Sequence, residues 1–239
     1  NSPDTKGFAV ERLGVFRKVI ESLSDFVEKM EIRASSKGLT MQVMDSMHVA
    51  FVDVFMSGDM FTKFRCDREI HLGIQTKTFL ATLRNIPLDD SSVLRLSCED
   101  APQKLLVEYI AANSKYEADM VLYEIDDENY SVPHIEYEAV VRMPAEQFRT
   151  ISKNVGAFGE YISLESDKEQ FSFRQTGDFI KNVMTLRPDG TAVTVDCTEP
   201  AALEVGMKYI NFINKISTLS SKITLSLGAS APVLFEIKL

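Results

Sequence analysis

The chain has no tryptophan and only three cysteines. Cys66, Cys98 and Cys197 are odd in number and far apart. That pattern fits neither a disulfide framework nor a zinc site and points to reduced thiols in an intracellular compartment. Histidine is as scarce: His48, His71 and His134 are scattered and form no metal signature. No run approaches the ~18 apolar residues of a membrane helix, and the opening NSPDTKGF does not read as a signal peptide. The glycine fingerprints of nucleotide sites, the H-E-x-x-H zinc motif and the G-x-S-x-G elbow are all missing. Asp126-Asp127-Glu128 lacks the alternating ligands and glycine turn of a calcium loop. Cys66 beside Asp67 has no evident base. The expectation is a protein that is not an enzyme and needs no cofactor.

A further absence carries more information. Net charge is −9, which by itself argues against a polyanionic partner. Yet the windows 73–88, 147–159 and 205–235 contain no Asp or Glu. At the chain's average density of 35 acids in 239 residues, about nine would fall there by uniform placement. The same windows hold Lys77, Arg84, Arg149, Lys153, Lys208, Lys215 and Lys222.

What is present is said twice. Phe16-Arg17 opens FRKVIESLSDF and Phe148-Arg149 opens FRTISKNVGAF; Ser91-Ser92 opens SSVLRLS and Ser220-Ser221 opens SSKITLS. Both pairs lie about 130 residues apart, too long a period for a solenoid, so two similar domains in tandem is the reading. Helical periodicity predicts helices over 13–27, 77–84, 145–158 and 207–215. Alternation predicts strands at 39–43 and 49–54, joined near Asp45-Ser46, and around 94–96 and 105–109. In the second half it predicts strands at 161–164, 171–173, 183–186, 193–195, 223–227 and 233–237. Two helices and many short strands per half give an α+β class. The divisions are 1–120, a connecting segment 121–138, and 139–239. The connector is both acidic and apolar, with Glu124, Asp126, Asp127 and Glu128 among Leu122, Ile125, Tyr130 and Val132. Its apolar residues either lie down on the domains or form a docking surface.

On the predicted helices Arg149 and Lys153 share a face, as do Lys77 with Arg84 and Lys208 with Lys215. Arg17 and Lys18 occupy the first helix, diluted by Glu21. A solvated helix face normally mixes signs, so one-sign stripes favour a polyanion-facing surface over a merely solvated one. No base-reading element or aromatic stacking platform is visible, so contact with nucleic acid should be to phosphate and independent of sequence.

The stretches GLTMQVMDSMHVAFVDVFMSGDMF (Gly38–Phe61) and RCDREIHLGIQTKTFL (Arg65–Leu80) resemble signatures of the proliferating cell nuclear antigen family of sliding clamps. The resemblance continues through Val132-Pro133, Met143-Pro144 and Lys208-Tyr209-Ile210-Asn211-Phe212. It implies a DNA-clamp fold: a homotrimeric ring, two like domains per chain, helices lining the hole and an outer β-sheet layer. It further implies a nuclear processivity factor that encircles duplex DNA and docks a DNA polymerase, a clamp loader and other proteins carrying a clamp-binding motif. The family's partner pocket would fall on Met44, His48, Val49, Tyr130, Val132 and Pro232. The DNA-facing residues would be Arg17, Lys18, Lys77, Arg84, Arg149, Lys153, Lys208 and Lys215. Lys168 aligns with the lysine to which family members attach ubiquitin or SUMO; in Asp167-Lys168-Glu169 it also reads as an ordinary solvated turn. Met47 departs from the small polar residue usual there, Phe51 and Tyr130 are bulkier than expected, and Ser24 stands where a basic residue is common. The sequence stops at Leu239, short of the family's pocket-completing tail. The edges expected to close the ring are Leu105–Met120 and Asp178–Leu186. Two other readings stay open: a subunit of a heterotrimeric checkpoint-type clamp, and a protein-interaction scaffold that never encircles DNA.

Overall fold

The computed structural model describes residues 6–10, 12–44, 47–87, 93–125 and 135–239. It resolves the chain into two units. The first comprises 1–42, 54–130 and 239, and the second 43–53 and 131–238.

The chain first runs β1 (Lys6–Val10), α1 (Leu13–Ser24), β2 (Lys29–Ser35), β3 (Gly38–Met44), β4 (Ala50–Ser57), β5 (Phe61–Phe64), β6 (Ile70–Gln75), α2 (Thr76–Arg84), β7 (Val93–Cys98), β8 (Lys104–Ile110) and β9 (Lys115–Val121), all of the first unit except the end of β3 and the start of β4, within 43–53. One sheet has the order β5-β1-β7-β8-β9, and β3, β2 and β6 are neighbours in another. The second unit runs β10 (Ala139–Pro144), α3 (Ala145–Val155), β11 (Tyr161–Ser166), β12 (Phe171–Thr176), β13 (Lys181–Leu186), β14 (Thr194–Cys197), β15 (Ala201–Gly206), α4 (Met207–Ser217), β16 (Lys222–Gly228) and β17 (Ala231–Lys238). Its sheets have the orders β14-β10-β16-β17 and β13-β12-β11-β15.

The order of pairing is duplicated as well as the sequence. β5-β1-β7-β8 matches β14-β10-β16-β17 strand for strand, and β3-β2-β6 matches β12-β11-β15. β9 has no counterpart in the second unit; it extends the first unit's sheet by pairing with β8, from Lys104 opposite Val121 to Ile110 opposite Lys115. The expected edge 105–120 is therefore a hairpin, of which β9 alone is the edge.

The strands form where apolar side chains alternate inward. Ala139, Val141 and Met143 of β10 are buried while Val140 and Arg142 face outward. The phenylalanine of each repeated Phe-Arg pair is fully buried. Phe16 meets Phe79 edge-on at 5.8 Å, and Phe148 meets Phe173 at 5.7 Å and Phe235 at 6.0 Å. Such rings anchor a core both by area and by edge-to-face geometry.

Two helices are shorter than their periodicity predicts. α1 stops at Ser24 because the N–H groups of Phe26 and Val27 both turn back to the Leu23 carbonyl, at 3.0 and 2.8 Å. α3 stops at Val155 and passes into a single 3-10 turn, Gly156–Phe158. No helix among the described residues is long and apolar enough to cross a membrane.

The start of the connector is fastened to β6. The N–H of Tyr123 donates to the Gly73 carbonyl (3.1 Å), its hydroxyl donates to the Met30 carbonyl (2.9 Å), and Lys29 stands over its ring at 5.1 Å. A Cβ at position 73 would lie 2.4 Å from the Tyr123 oxygen, so only glycine admits this approach.

Candidate functional site

Each unit packs its two helices side by side, and each pair leaves a face of basic residues outward. On α1 and α2 the burial of Phe16, Val19, Ile20, Leu23, Phe79, Leu80 and Leu83 leaves Lys18, Lys77 and Arg84 exposed. On α3 and α4 the same logic exposes Lys153, Lys208 and Lys215. Along α4 the exposed positions Lys208, Asn211 and Lys215 form one stripe with no acid. The α2 stripe has none either. The single acid on α3 is Glu146 in its first turn, where a helix favours negative charge.

Three basic residues are partly engaged in their own unit. Arg84 pairs with Glu21 of α1 (2.5 Å), so the charge reversal on α1 meets a partner from α2. Arg17 and Arg149 are half-buried. Arg17 Nη2 donates to the carbonyl of Ile86, just past α2 (2.8 Å). Arg149 Nη1 donates to the carbonyl of Ser217, the last residue of α4 (2.7 Å).

The helix pairs differ inside. In the second unit Asn214 Nδ2 donates to Ser152 Oγ (3.0 Å), and Ser217 Oγ donates to the Asn214 carbonyl (3.1 Å). All three side chains are buried. The matching positions of the first unit are Ile20 and Leu83, both fully buried. Sequence reasoning missed this polar lock, because serine and asparagine on a helix carry no sign of facing each other across 62 residues. Asn214→Ala is expected to destabilise the protein by about 1–3 kcal/mol by removing the buried bond from the Asn214 amide to Ser152 Oγ, which keeps only its contact to the Arg149 carbonyl (3.3 Å). Ser152→Ile/Asn214→Leu, which installs the first unit's pairing, should recover most of that loss in thermal unfolding.

The expected docking residues that the structure describes belong to the second unit. Met44 closes β3 and is half-buried. The adjacent Val43 carbonyl accepts from the Tyr209 hydroxyl (3.3 Å). His48 is exposed and, with φ 58°, is the only non-glycine residue of positive φ among the described residues. Histidine tolerates that left-handed conformation better than most side chains. Val49 is brought beside Pro232, since the N–H of Val233 donates to the Val49 carbonyl (2.9 Å). Met47 is 67% exposed. Tyr130, Val132 and the Asp126-Asp127-Glu128 triplet lie outside the described residues. Lys168 is exposed in the β11–β12 turn, whose shape is set by Asp167 Oδ1 accepting the N–H groups of Glu169 (2.8 Å) and Gln170 (2.9 Å).

Among the described residues the largest exposed apolar group lies around β13. Phe179 is fully exposed, and Phe158, Tyr161, Ile180, Val183 and Met184 are all open to solvent. The edge is held in place from behind. Asn182 Nδ2 donates to the carbonyls of Val155 (3.3 Å) and Gln175 (3.2 Å). The buried Gln175 side chain accepts from the Phe158 N–H (2.7 Å) and donates to the Tyr161 carbonyl (2.7 Å).

Comparison with known proteins agrees with this architecture. Residues 9–130 match the family model of the proliferating cell nuclear antigen N-terminal domain, and residues 131–239 match that of its C-terminal domain. The chain is 29% identical over 238 residues to a proliferating cell nuclear antigen of Chaetomium thermophilum, covering 96% of this chain and 91% of that one. With both models matched end to end, the chain belongs to the proliferating cell nuclear antigen family: it is a DNA sliding clamp of replication and repair, a scaffold and not an enzyme.

Proposed function

We propose that this clamp assembles with itself as a nuclear homotrimer, encircles duplex DNA and tethers a DNA polymerase, a clamp loader and other motif-bearing proteins. The observation that carries the reading is that each unit presents a two-helix face with three exposed basic residues to one acid, Glu21 in the first and Glu146 in the second, on a chain of net charge −9. An acidic protein can approach a polyanion only by segregating its charge in this way. Lys18, Lys77, Arg84, Lys153, Lys208 and Lys215 meet phosphates loosely enough to slide. Arg17 and Arg149 stand on the same helices with their guanidiniums already engaged. The ring closes by pairing the edge strand β9 of one copy with β13 of the next, a head-to-tail contact that satisfies both edges. Sedimentation of the chain by itself tests this: a trimer supports it, and a monomer assigns the chain to a heterotrimeric checkpoint-type clamp.

Partner motifs dock at Met44, His48, Val49, Tyr130, Val132 and Pro232, beside the connecting segment 121–138. Exposed Lys168 is the candidate attachment site for ubiquitin or SUMO. Met44→Asp or Val132→Asp is expected to weaken a clamp-motif peptide by about 2–4 kcal/mol, because a carboxylate would be buried unpaired in an apolar groove. Calorimetry on correctly folded variants checks it, and unchanged affinity would move the site elsewhere.

A further inference from the structure

The repeated Phe-Arg pair has one half in the core. The other half makes the same contact in both units. Arg17 reaches from α1 to the carbonyl of Ile86, in the turn two residues past the end of α2 (2.8 Å). Arg149 reaches from α3 to the carbonyl end of α4 (2.7 Å), with Ser217 Oγ also within 3.5 Å. The acceptors, Ile86 and Ser217, stand about as far apart in sequence as the donors, so the contact was duplicated with the unit. Both arginines are half-buried, unlike the lysines that share their helices. Arg17 Nε is buried and has no hydrogen-bond partner among the described residues, so that edge of the guanidinium is closed to solvent and to phosphate.

Each of the two helices ends there with the negative pole of its dipole, about half a charge, although the last carbonyls already accept bonds from following N–H and hydroxyl groups, as at Lys215, Ile216 and Ser217 of α4. Each of these helices also carries a basic residue in its last turn, Arg84 on α2 and Lys215 on α4. That negative pole, with no cation seated on it, would repel the phosphates that the reading given above brings to those residues.

We infer that Arg17 and Arg149 are positioning residues: each fastens and neutralises the carbonyl end of the neighbouring helix, so that the exposed basic residues, and not these arginines, contact DNA phosphate. The inference rests on the DNA-facing reading given above. It narrows the phosphate-contacting set to Lys18, Lys77, Arg84, Lys153, Lys208 and Lys215. It also gives the arginines a role that a solvated helix face would not require.

The test is binding of a short linear duplex across a series of salt concentrations, by fluorescence anisotropy, combined with amide hydrogen exchange. Lys153→Ala should lower the log–log salt slope by about 0.9 for each copy of Lys153 that meets a phosphate of B-DNA. Arg149→Ala should weaken binding about threefold to tenfold at every salt concentration with the wild-type slope retained, and should speed exchange at the end of α4 about tenfold. Arg17→Ala should do the same at the end of α2 and leave α4 untouched. The milder Arg149→Lys keeps the charge, and exchange at the α4 end should still rise because the fork that holds the carbonyl is gone. A slope that falls for Arg149→Ala as it does for Lys153→Ala would make the arginine a phosphate contact and overturn the inference. Unchanged DNA binding would make it a structural residue only and overturn it equally. If Lys153→Ala itself leaves the wild-type slope intact, it is the DNA-facing surface that is misassigned, a failure distinct from either of these.

Discussion

A variant carrying Lys77→Glu, Lys153→Glu and Lys208→Glu is expected to lose stimulation of a DNA polymerase while keeping its assembly state and its affinity for a clamp-motif peptide. The three lysines are exposed on α2, α3 and α4, and none of the hydrogen bonds that hold the helix pairs together runs through them. Folding should therefore survive. Each reversal replaces an attraction to phosphate with a repulsion, and the affinity that slides along DNA is a sum of such weak, salt-sensitive terms. In the proposed ring of three copies the variant would change nine positions at once. Residual direct binding to linear duplex should have a nearly flat salt dependence. If the variant supports synthesis as wild type does, the basic stripes are ordinary solvated surface.

The second large effect concerns closure. Val183→Asp/Met184→Asp is expected to convert the self-assembled species to monomer at micromolar concentration, read by light scattering. Both side chains are about half exposed on β13, at the outer edge of the β13-β12-β11-β15 sheet. Pairing with a second copy would bury them, and an unpaired carboxylate in such a seam costs several kcal/mol. The strand itself should stay folded, because its inner ladder to β12 runs from Phe171 opposite Leu186 to Thr176 opposite Lys181. An unchanged trimer would place the subunit contact elsewhere.

The duplication was legible in the sequence because its markers are chemically committed. Phe16 and Phe148 sit at the two core centres, and Arg17 and Arg149 make matching contacts. The α+β class followed from periodicity. Several strands did not. β2 reads KMEIRAS, and its Glu31 lies on the outward register yet is 3% exposed, hydrogen-bonded to His71 (2.6 Å). β6 is broken by Gly73, which is there for Tyr123. Neither strand shows the clean alternation of Ile223, Leu225 and Leu227 by which β16 was expected, and β10 was not expected either. The basic stripes were legible as spacing, but not which charges they leave available. The partners of Arg17 and Arg84 lie 69 and 63 residues away in the chain, a distance over which local pattern carries no information. For the docking region, sequence resemblance supplied the residues, and the structure adds that the Val49 carbonyl accepts from the N–H of Val233, the residue next to Pro232.

Asn182 gives the second unit a mechanical property. Its amide ties the edge strand β13 to the Val155 carbonyl at the end of α3, while Gln175 ties the turn that follows α3 to the sheet behind that edge. A load applied to the edge strand, as when a ring is prised open, is therefore passed through two side-chain amides to the helix that carries Lys153.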